Sequence, residues 1–223
     1  MNILLGIIGI ILCFGIEVLI EKIFKKEGLY VWTSGALITA NILVAKNINI
    51  LGLQATLGNI LFASTFLATD ILSEKYSAKE SRKAVNIGIV SVILFTIATQ
   101  FSLLFKPNEL DLVNNSLKNI FALNLRISIS SIIMCYLSNL LDIYLFEKIK
   151  KKIPNKLWLR NNIATIISNC LENYLFTIFA FIGIYDLKTI FAIATTTTIL
   201  EIIIAICDTP FLYLSKKIKI KRK

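Results

Sequence analysis

The 223-residue chain contains no histidine, four cysteines, three prolines and nine glycines. The lack of histidine excludes Ser-His-Asp catalysis, Cys-His catalysis and histidine-ligated metal sites. The cysteines occur singly, without C-x-x-C spacing, so we expect small packing residues rather than metal ligands. A G-x-x-x-x-G-K-[ST] motif is also missing, so the chain does not itself hydrolyse ATP through a P-loop. The sequence therefore indicates no enzyme of these classes, no metal site and no cofactor.

Apolar residues are abundant: they make up 56% of the chain, and the mean hydropathy is +0.75. They form runs of roughly 18–25 residues, the length that a helix needs to cross a hydrocarbon layer of about 30 Å. The scarcity of proline and glycine argues against a strand-based fold. We predict an all-α polytopic membrane bundle that forms one domain, residues 1–223, with seven transmembrane helices: 3–24, 29–45, 54–72, 84–105, 120–146, 161–184 and 189–214.

Basic residues alternate in number from one connection to the next. The connections that follow the first, third and fifth runs, with the C-terminal tail, hold 19 of the 24 lysines and arginines. Positive charge concentrates on the cytoplasmic side of membrane proteins, so we predict that the N-terminus lies outside and the C-terminus inside. The net charge of +10 then reflects this asymmetry and anionic lipids. The basic tail, residues 215–223, has no interleaved aromatic residues that would indicate nucleic-acid binding.

The first apolar run is expected to be a permanent helix. It lacks a charged segment before it, and its positive charge follows the apolar stretch, unlike the pattern of a cleaved signal peptide. Glu17 and Glu21 lie one turn apart near its inner end. We expect both to be solvated or paired with Lys22 and Lys25.

Five carboxylates lie inside the later apolar runs, without lysine or arginine at comparable depth: Asp70, Asp142, Glu172, Glu201 and Asp208. At the centre of a bilayer each costs at least about 2.5–3.5 kcal/mol. Unpaired carboxylates in such surroundings either take up protons or accept hydrogen bonds from a donor-rich ligand. Both alternatives indicate transport. The competing interpretation is that polar residues here only join the helices by hydrogen bonds.

A short pattern, S-N-x-L-[DE]-x-Y-L-F, occurs twice, as SNLLDIYLF at residues 138–146 and SNCLENYLF at residues 168–176. Consecutive spans cross the membrane in opposite directions, so the two copies are predicted to be antiparallel. This is a local inverted repeat, an arrangement typical of transporters with a polar site near the middle of the membrane. At 1.5 Å per residue, Asn139 and Asn169 lie at a similar depth.

Four segments resemble the motifs of bacterial queuosine precursor transporters, also called putative vitamin uptake transporters. They are TFLATDILSEKYSAKESRKAV, SNLLDIYLFEKIK, LWLRNNIATIISNCLENYLFTIFAF and DTPFLYL. The resemblance covers roughly residues 31–214. It implies an inner-membrane importer of 7-deazaguanine bases for tRNA modification, such as 7-cyano- or 7-aminomethyl-7-deazaguanine, or queuine. It also implies a six-helix core, residues 29–214, to which residues 3–24 add an extra helix.

The resemblance extends to single residues. Asp70 matches the acid of the family's third-segment motif, and Asp142 matches the Asp of its Q-x-x-D-like motif. Two further motifs, R-N-N-x-x-T and T-P-x-x-Y, are matched by Arg160, Asn161, Asn162, Thr165, Pro210 and Tyr213.

Four positions depart from the family pattern. Asn139 and Asn169 stand where Gln is more usual, Glu172 replaces Asp, and Glu201 stands where Lys is expected. The added negative charge favours a cationic, amine-bearing substrate over the neutral nitrile.

We therefore predict a substrate site with Asp142 and Glu172 in base recognition or proton handling and with Asn139 and Asn169 orienting the ligand. Further candidates for substrate binding are Asp70, Asn162, Thr165, Glu201 and Asp208. Arg160 is a candidate for closing an inner gate by pairing with an acid, or for a positive-inside anchor. Phe146 and Phe176 are candidates for stacking on a base, with core packing as the alternative. The cytoplasmic segment SEKYSAKESRK is expected to be solvated and paired within itself.

Other interpretations stay open at this point. The chain fits a substrate-binding subunit of an ATP-driven vitamin importer with a separate ATPase partner, or a transporter of another small nucleobase-like or vitamin-like molecule. A homo-oligomer is compatible with both. A membrane scaffold is a further alternative, against which the buried acids argue.

Overall fold

A computed structural model describes residues 2–43, 46–50, 53–121, 125–183 and 185–218. Within these ranges the chain forms seven helices and one strand pair: α1 (Asn2–Leu43), β1 (Asn47–Ile50), β2 (Leu53–Thr56), α2 (Gly58–Lys75), α3 (Ala78–Ser102), α4 (Asn114–Phe121), α5 (Leu125–Lys152), α6 (Leu157–Phe181) and α7 (Leu187–Lys217). Parts of the predicted runs, at residues 44–45, 122–124 and 184, and residues 219–223 of the tail lie outside the described residues.

The helical membrane architecture expected from the sequence is confirmed in its main feature. Among the described helices, five are long and apolar enough to cross a membrane: α1, α3, α5, α6 and α7. Their outer faces carry exposed apolar side chains such as Leu4, Leu94 and Ile203. Large apolar surfaces of this kind indicate a hydrocarbon environment rather than water. The number of spans and their orientation stay predictions.

Helix α1 is bent back on itself at Lys25, whose backbone has φ 58° and ψ −141°. A Cβ added to Gly28 would lie only 2.9 Å from the carbonyl oxygen of Ile20. Eight residues of straight helix would separate these positions by about 12 Å. The chain therefore reverses at Lys25, so residues 2–24 and 26–43 correspond to the first two predicted runs.

Helix α2 lies at the centre of the bundle and packs against α1, α3, α5 and α7. Every residue from Ala63 to Ser73 is buried, so this helix is enclosed on all sides. It contains Asp70, Glu74 and Lys75 within 18 residues. That charge explains why α2 is missing from the five apolar helices, although it corresponds to the third predicted run. The run was predicted to begin at residue 54, whereas the helix begins at Gly58 because residues 53–56 pair with β1 as an antiparallel hairpin.

Helix α5 packs along α6, and α6 packs along α7. Two helix starts are capped by side chains: Ser77 accepts a hydrogen bond from the Glu80 amide, and Asp186 accepts one from the Thr189 amide. The caps fix where α3 and α7 begin. The result is a bundle in which the repeated segments of α5 and α6 lie side by side, with α2 and α7 next to them.

Candidate functional site

The two copies of the sequence repeat contact each other reciprocally where α5 and α6 pack together. Ser138 donates a hydrogen bond from Oγ to Glu172 Oε2 at 2.5 Å. In the other direction, Ser168 donates to Asp142 Oδ1 at 3.3 Å, and Thr165 donates to the same oxygen at 3.1 Å. The first residue of each copy thus binds the acid of the other, as expected of two antiparallel segments.

The asparagines of the repeat lie between these two contacts along their helices. Asn139 donates from Nδ2 to the Cys135 carbonyl of its own helix at 2.9 Å, and its Oδ1 meets no donor among the described residues. Asn169 is fully buried, and within the described chain neither of its amide atoms has a hydrogen-bond partner. A buried polar group without a partner costs about 1–3 kcal/mol, so these amides are available to a polar ligand.

A group of buried acids lies towards the C-terminal ends of α2, α5 and α7. Asp70 of α2 and Asp142 of α5 are fully buried, with their carboxyl groups within hydrogen-bonding reach of each other. Asp208 of α7 acts electrostatically on both. Its Oδ1 accepts a hydrogen bond from Asn161 Nδ2 at 2.6 Å. The structure thus brings together three predicted site residues from three helices.

A fourth acid, Glu17 of α1, interacts electrostatically with Asp208. It is fully buried, and neither carboxylate oxygen has a hydrogen-bond partner in the described part of the chain. The expectation that Glu17 is solvated or paired with a nearby lysine is wrong. The back-folding of α1 at Lys25 explains the difference, because it places this face of the helix against the bundle rather than in an aqueous connection.

A second pair of acids lies on α6 and α7. Glu172 of α6 is half-buried, and Glu201 of α7 is buried. Their charges act on each other, and Glu201 Oε2 accepts a hydrogen bond from Asn173 Nδ2 at 2.7 Å. No lysine or arginine pairs with either acid among the described residues. This pair therefore forms an acidic region next to the amides of the repeat.

Asn162 lies apart from the acids. Its Nδ2 donates to the Trp158 carbonyl and to Thr209 Oγ1, both at 2.8 Å, so its donors connect α6 to its own preceding turn and to α7. The neighbouring Asn161 reaches Asp208 instead. The structure thus favours Asn161 over Asn162 as the motif residue closer to the acid group.

A charged network lies at the end of the bundle where α2 ends, centred on Glu74 of that helix. Glu74 pairs with Arg160, with Lys216 at 2.8 Å and with Lys150 at 3.5 Å. Burial raises the pKa of Glu74, but the hydrogen bond from Lys216 and the charges of Arg160 and Lys150 outweigh it, and the net shift is downwards. One carboxylate therefore joins α2 to α5, α6 and α7.

Arg160 is only 1% exposed and also donates to the Pro154 carbonyl at 2.7 Å. Its guanidinium lies over the ring of the fully buried Phe146, 5.3 Å from the centroid. Of its two predicted roles, pairing with an acid fits this geometry. Phe146 packs in the core beneath Arg160, and Phe176 contacts the edge of Phe181 with 6.3 Å between ring centroids.

Lys75 of α2 forms a second buried ion pair at the same end, with Glu21 of α1 at 2.5 Å. Ser215 of α7 donates from Oγ to the other Glu21 oxygen at 3.0 Å. Two predictions are corrected here. Glu21 pairs with Lys75 rather than with Lys22 or Lys25. In the segment SEKYSAKESRK, the described ion pairs join its charged residues to other helices rather than to each other. Its first charged residues lie in buried α2, whose side chains reach other helices.

Sequence reasoning missed the serines of the repeat, Ser138 and Ser168, although the repeat itself begins with them. It also missed Glu17, Asn173 and the central role of Glu74.

In the described part of the chain, no group of three or more histidines, cysteines or acids is placed to hold a metal ion.

Sequence similarity relates this chain to known transporters. The family model described as "Putative vitamin uptake transporter" matches residues 56–215. The "Probable queuosine precursor transporter" of Bacillus subtilis (strain 168) is 36% identical over 209 residues, which cover 93% of this chain and 91% of that protein. No solved structure matches the chain. The family match includes the acids and amides described above with the exception of Glu17 and Glu21.

Proposed function

The chain belongs to the putative vitamin uptake transporter family, and from this premise we propose that it imports queuosine precursors across the bacterial inner membrane. The proposed substrates are 7-deazaguanine bases: 7-aminomethyl-7-deazaguanine, 7-cyano-7-deazaguanine or queuine. The relative's name supports the substrate class, and the polar interior of a membrane bundle supports transport.

The observation that carries the proposal is the state of Asn169. Its amide is fully buried where the two repeat copies meet, and neither amide atom has a partner within the described residues. Such a side chain needs a ligand that offers both a donor and an acceptor. The edge of a deazaguanine carries N–H donors and a carbonyl oxygen side by side, and so fits this requirement. Asn139, with its free Oδ1, would contact the same ligand.

The acids of the repeat would complete the recognition. A carboxylate can accept two adjacent N–H groups of a guanine-like base, a role that suits Asp142 or Glu172. Glu172 and Glu201 place two acids next to the amides, and a cationic amine beside them would stabilise their ionised forms. We therefore expect amine-bearing precursors to bind more tightly than the neutral nitrile. Uptake measured with both classes in competition checks this, and stronger inhibition by the nitrile would contradict it.

We further propose seven membrane spans, with the N-terminus outside and the C-terminus inside. Support comes from Lys75, Lys150, Arg160 and Lys216, which meet at one end of the bundle. Fusions of green fluorescent protein to the C-terminus and of alkaline phosphatase to the N-terminus should both be active. An inactive phosphatase with a fluorescent C-terminus would contradict the odd number of spans.

The test of function uses a bacterium that lacks both precursor synthesis and its own importer, and that expresses the salvage enzyme for each base. Each precursor is supplied at a low, limiting concentration, and queuosine in tRNA is quantified by mass spectrometry. We expect the chain to restore queuosine. Asn169→Ala should reduce precursor uptake at least about tenfold, which corresponds to the loss of one good polar contact.

The matched control is Asn86→Ala, since Asn86 is an exposed asparagine of α3. It should leave uptake unchanged. Immunoblots of membranes verify that all variants accumulate equally. Absence of rescue by every precursor, with the protein present in the membrane, would overturn the proposed function. Equal uptake by the Asn169 and Asn86 variants would overturn the assignment of the site while leaving the function in place.

A further inference from the structure

The neighbouring carboxyl groups of Asp70 and Asp142 have no hydrogen-bond donor between them among the described residues. Both side chains are fully buried, on α2 and α5 respectively. Their carboxyl groups lie within hydrogen-bonding reach of each other. Within the described chain, however, neither oxygen of Asp70 nor Oδ2 of Asp142 meets any hydrogen-bond donor. Two ionised carboxylates only accept, so nothing present in the side chains themselves satisfies this contact.

A single proton between the two groups would satisfy it. With one carboxyl protonated, its O–H donates to the other, and the repulsion between two adjacent negative charges disappears. A metal cation fits less well, because the described side chains include no group of three or more acids, cysteines or histidines placed to hold one. A proton is therefore the ligand that fits this pair of carboxyl groups.

Other charges reach the pair from the helices packed around it. Asp208 of α7 adds negative charge next to both acids, and Glu17 of α1 acts in turn on Asp208. Among the described residues, Arg160 of α6 is the cation that acts on Asp70, and it is already engaged by Glu74. The balance around the pair is thus negative, which favours holding the proton.

The same pair touches the proposed substrate site. Asp142 Oδ1 accepts hydrogen bonds from Thr165 and Ser168 of α6, and Ser168 immediately precedes Asn169. A proton that arrives at or leaves Asp142 changes the strength of these bonds, because a carboxylate is a better acceptor than a neutral carboxyl group. The α5–α6 contact that carries the ligand amides therefore responds to the proton.

We propose that substrate import is coupled to the inward movement of a proton carried by the Asp70–Asp142 pair, an inference that rests on the proposed function. In each cycle the pair takes up one proton from the outer side together with the substrate and releases it to the cytoplasm. The transport of one proton with each substrate molecule balances the charge of the pair over a full cycle.

The experiment uses the purified full-length protein in vesicles of phosphatidylethanolamine and phosphatidylglycerol. Uptake of labelled 7-aminomethyl-7-deazaguanine is first measured as counterflow, with unlabelled substrate inside and no pH gradient. It is then measured as net accumulation with the outside acidic, with and without a protonophore. Coupling to one proton allows accumulation of up to about tenfold per unit of pH gradient, and the protonophore should abolish it.

The variants Asp70→Asn and Asp142→Asn should lose the accumulation driven by the pH gradient. Glu109→Gln, which removes an exposed carboxylate from the connection before α4, should keep it. Asp70→Glu retains a titrating group at the same position and should retain coupling. It keeps the assignment testable even where the asparagine variants do not fold, as judged by thermal unfolding.

The outcomes separate the two proposals. Counterflow by the native protein without a response to the pH gradient would overturn the coupling and leave the importer function intact. Absence of counterflow with all precursors would overturn the proposed function itself. Gradient-driven accumulation by well-folded Asp70→Asn equal to that of the native protein would overturn the assignment to this pair. Loss of accumulation in both asparagine variants, with retention in Asp70→Glu, is the supporting result.

Discussion

Ser138 donates its hydroxyl hydrogen to Glu172 at 2.5 Å, which joins the first residue of one repeat copy to the acid of the other. Ser168 makes the corresponding but longer contact to Asp142 at 3.3 Å, since its hydroxyl also bonds to the Ala164 carbonyl of its own helix at 2.5 Å. The inverted repeat is thus complementary to itself, since each copy supplies a donor for the acid of its partner. This arrangement keeps both acids hydrogen-bonded, while the amide of Asn169 between them has no hydrogen-bond partner among the described residues.

Removing the Ser138 hydroxyl should lower the stability of the protein more than removing the Ser168 hydroxyl. Ser138 is the one donor to Glu172 among the described residues, whereas Asp142 keeps Thr165 when Ser168 is lost. We expect Ser138→Ala to lower the free energy of unfolding by about 1–3 kcal/mol and Ser168→Ala by less. Thermal unfolding of the purified protein in detergent measures both changes.

The control for this pair is Ser91→Ala, because the Ser91 hydroxyl, as far as the described residues go, bonds to the Ile87 carbonyl of its own helix. That variant should unfold close to the native temperature. Ser138→Thr, which retains the hydroxyl, should recover part of the lost stability. A larger loss from Ser168→Ala than from Ser138→Ala would contradict the ranking.

Glu74 should be among the most sensitive positions for stability. Glu74→Gln leaves the nearly fully buried Arg160 without its counter-charge, and removing one partner of a buried ion pair costs about 3–5 kcal/mol. Glu80→Gln is the matched control, because Glu80 pairs with the partly exposed Lys26 near the surface. The exposed pair of Glu80 and Lys26 should contribute only about 0–1 kcal/mol to the free energy of unfolding. Chemical denaturation of the two variants should show this difference, and equal losses would contradict the central role of Glu74.

The same carboxylate predicts how stability depends on pH. Burial alone would raise the pKa of Glu74, yet its cationic partners hold it below the ordinary value of 4.5. A depressed folded-state pKa stabilises the protein above the ordinary value, and this contribution is lost as the pH falls through the depressed value. The unfolding temperatures of the native protein and Glu74→Gln should therefore differ by a constant amount at neutral pH and converge in acid. A gap that widens in acid would show the opposite sign.

The helices and the inverted repeat were accessible from the sequence for simple physical reasons. The length of the apolar runs fixes the helices, and alternation of direction makes two like segments antiparallel. The predicted acids Asp70, Asp142 and Asp208 do come together. Lipid cannot hydrogen-bond a carboxyl group, so these side chains lie in the interior of the bundle. The resemblance to queuosine precursor transporters is confirmed by the family match.

Contacts between distant segments of the chain could not be predicted from the sequence. The sequence shows Lys22 and Lys25 next to Glu21, so local pairing was expected, but the partner is Lys75, 54 residues away. That pairing depends on how α1 turns back at Lys25 and on the depth at which α2 lies beside it. Likewise, nothing in the sequence near Glu74 indicates that three helices bring cations to it. Such contacts are set by packing geometry rather than by periodicity.

Close packing of α3 against α1 at Gly88 should limit side-chain size there. A Cβ at Gly88 would lie 2.8 Å from Leu37 Cδ1 and 3.2 Å from Thr33 Cγ2. Because the Leu37 methyl can move, Gly88→Ala should cost little, whereas Gly88→Leu should lower stability by about 1–3 kcal/mol. Gly35→Leu is the control, since a Cβ at Gly35 has nothing within 4 Å. Similar unfolding temperatures for both leucine variants would contradict the close approach.

The buried pair of Glu21 and Lys75 predicts that the N-terminal helix is part of the folded core and not an accessory. The pair joins α1 to α2, and Ser215 of α7 binds the same carboxylate. Lys75→Met alone leaves Glu21 as an uncompensated buried charge and should cost about 3–5 kcal/mol. Glu21→Gln combined with Lys75→Met removes both charges, so it should recover most of that loss. A double-mutant cycle of unfolding free energies measures the recovery as a coupling energy. If the double variant loses the sum of the two single losses in unfolding free energy, residues 2–24 are not docked through this pair. A large coupling energy would show that Lys75 of the central helix holds the first helix in place.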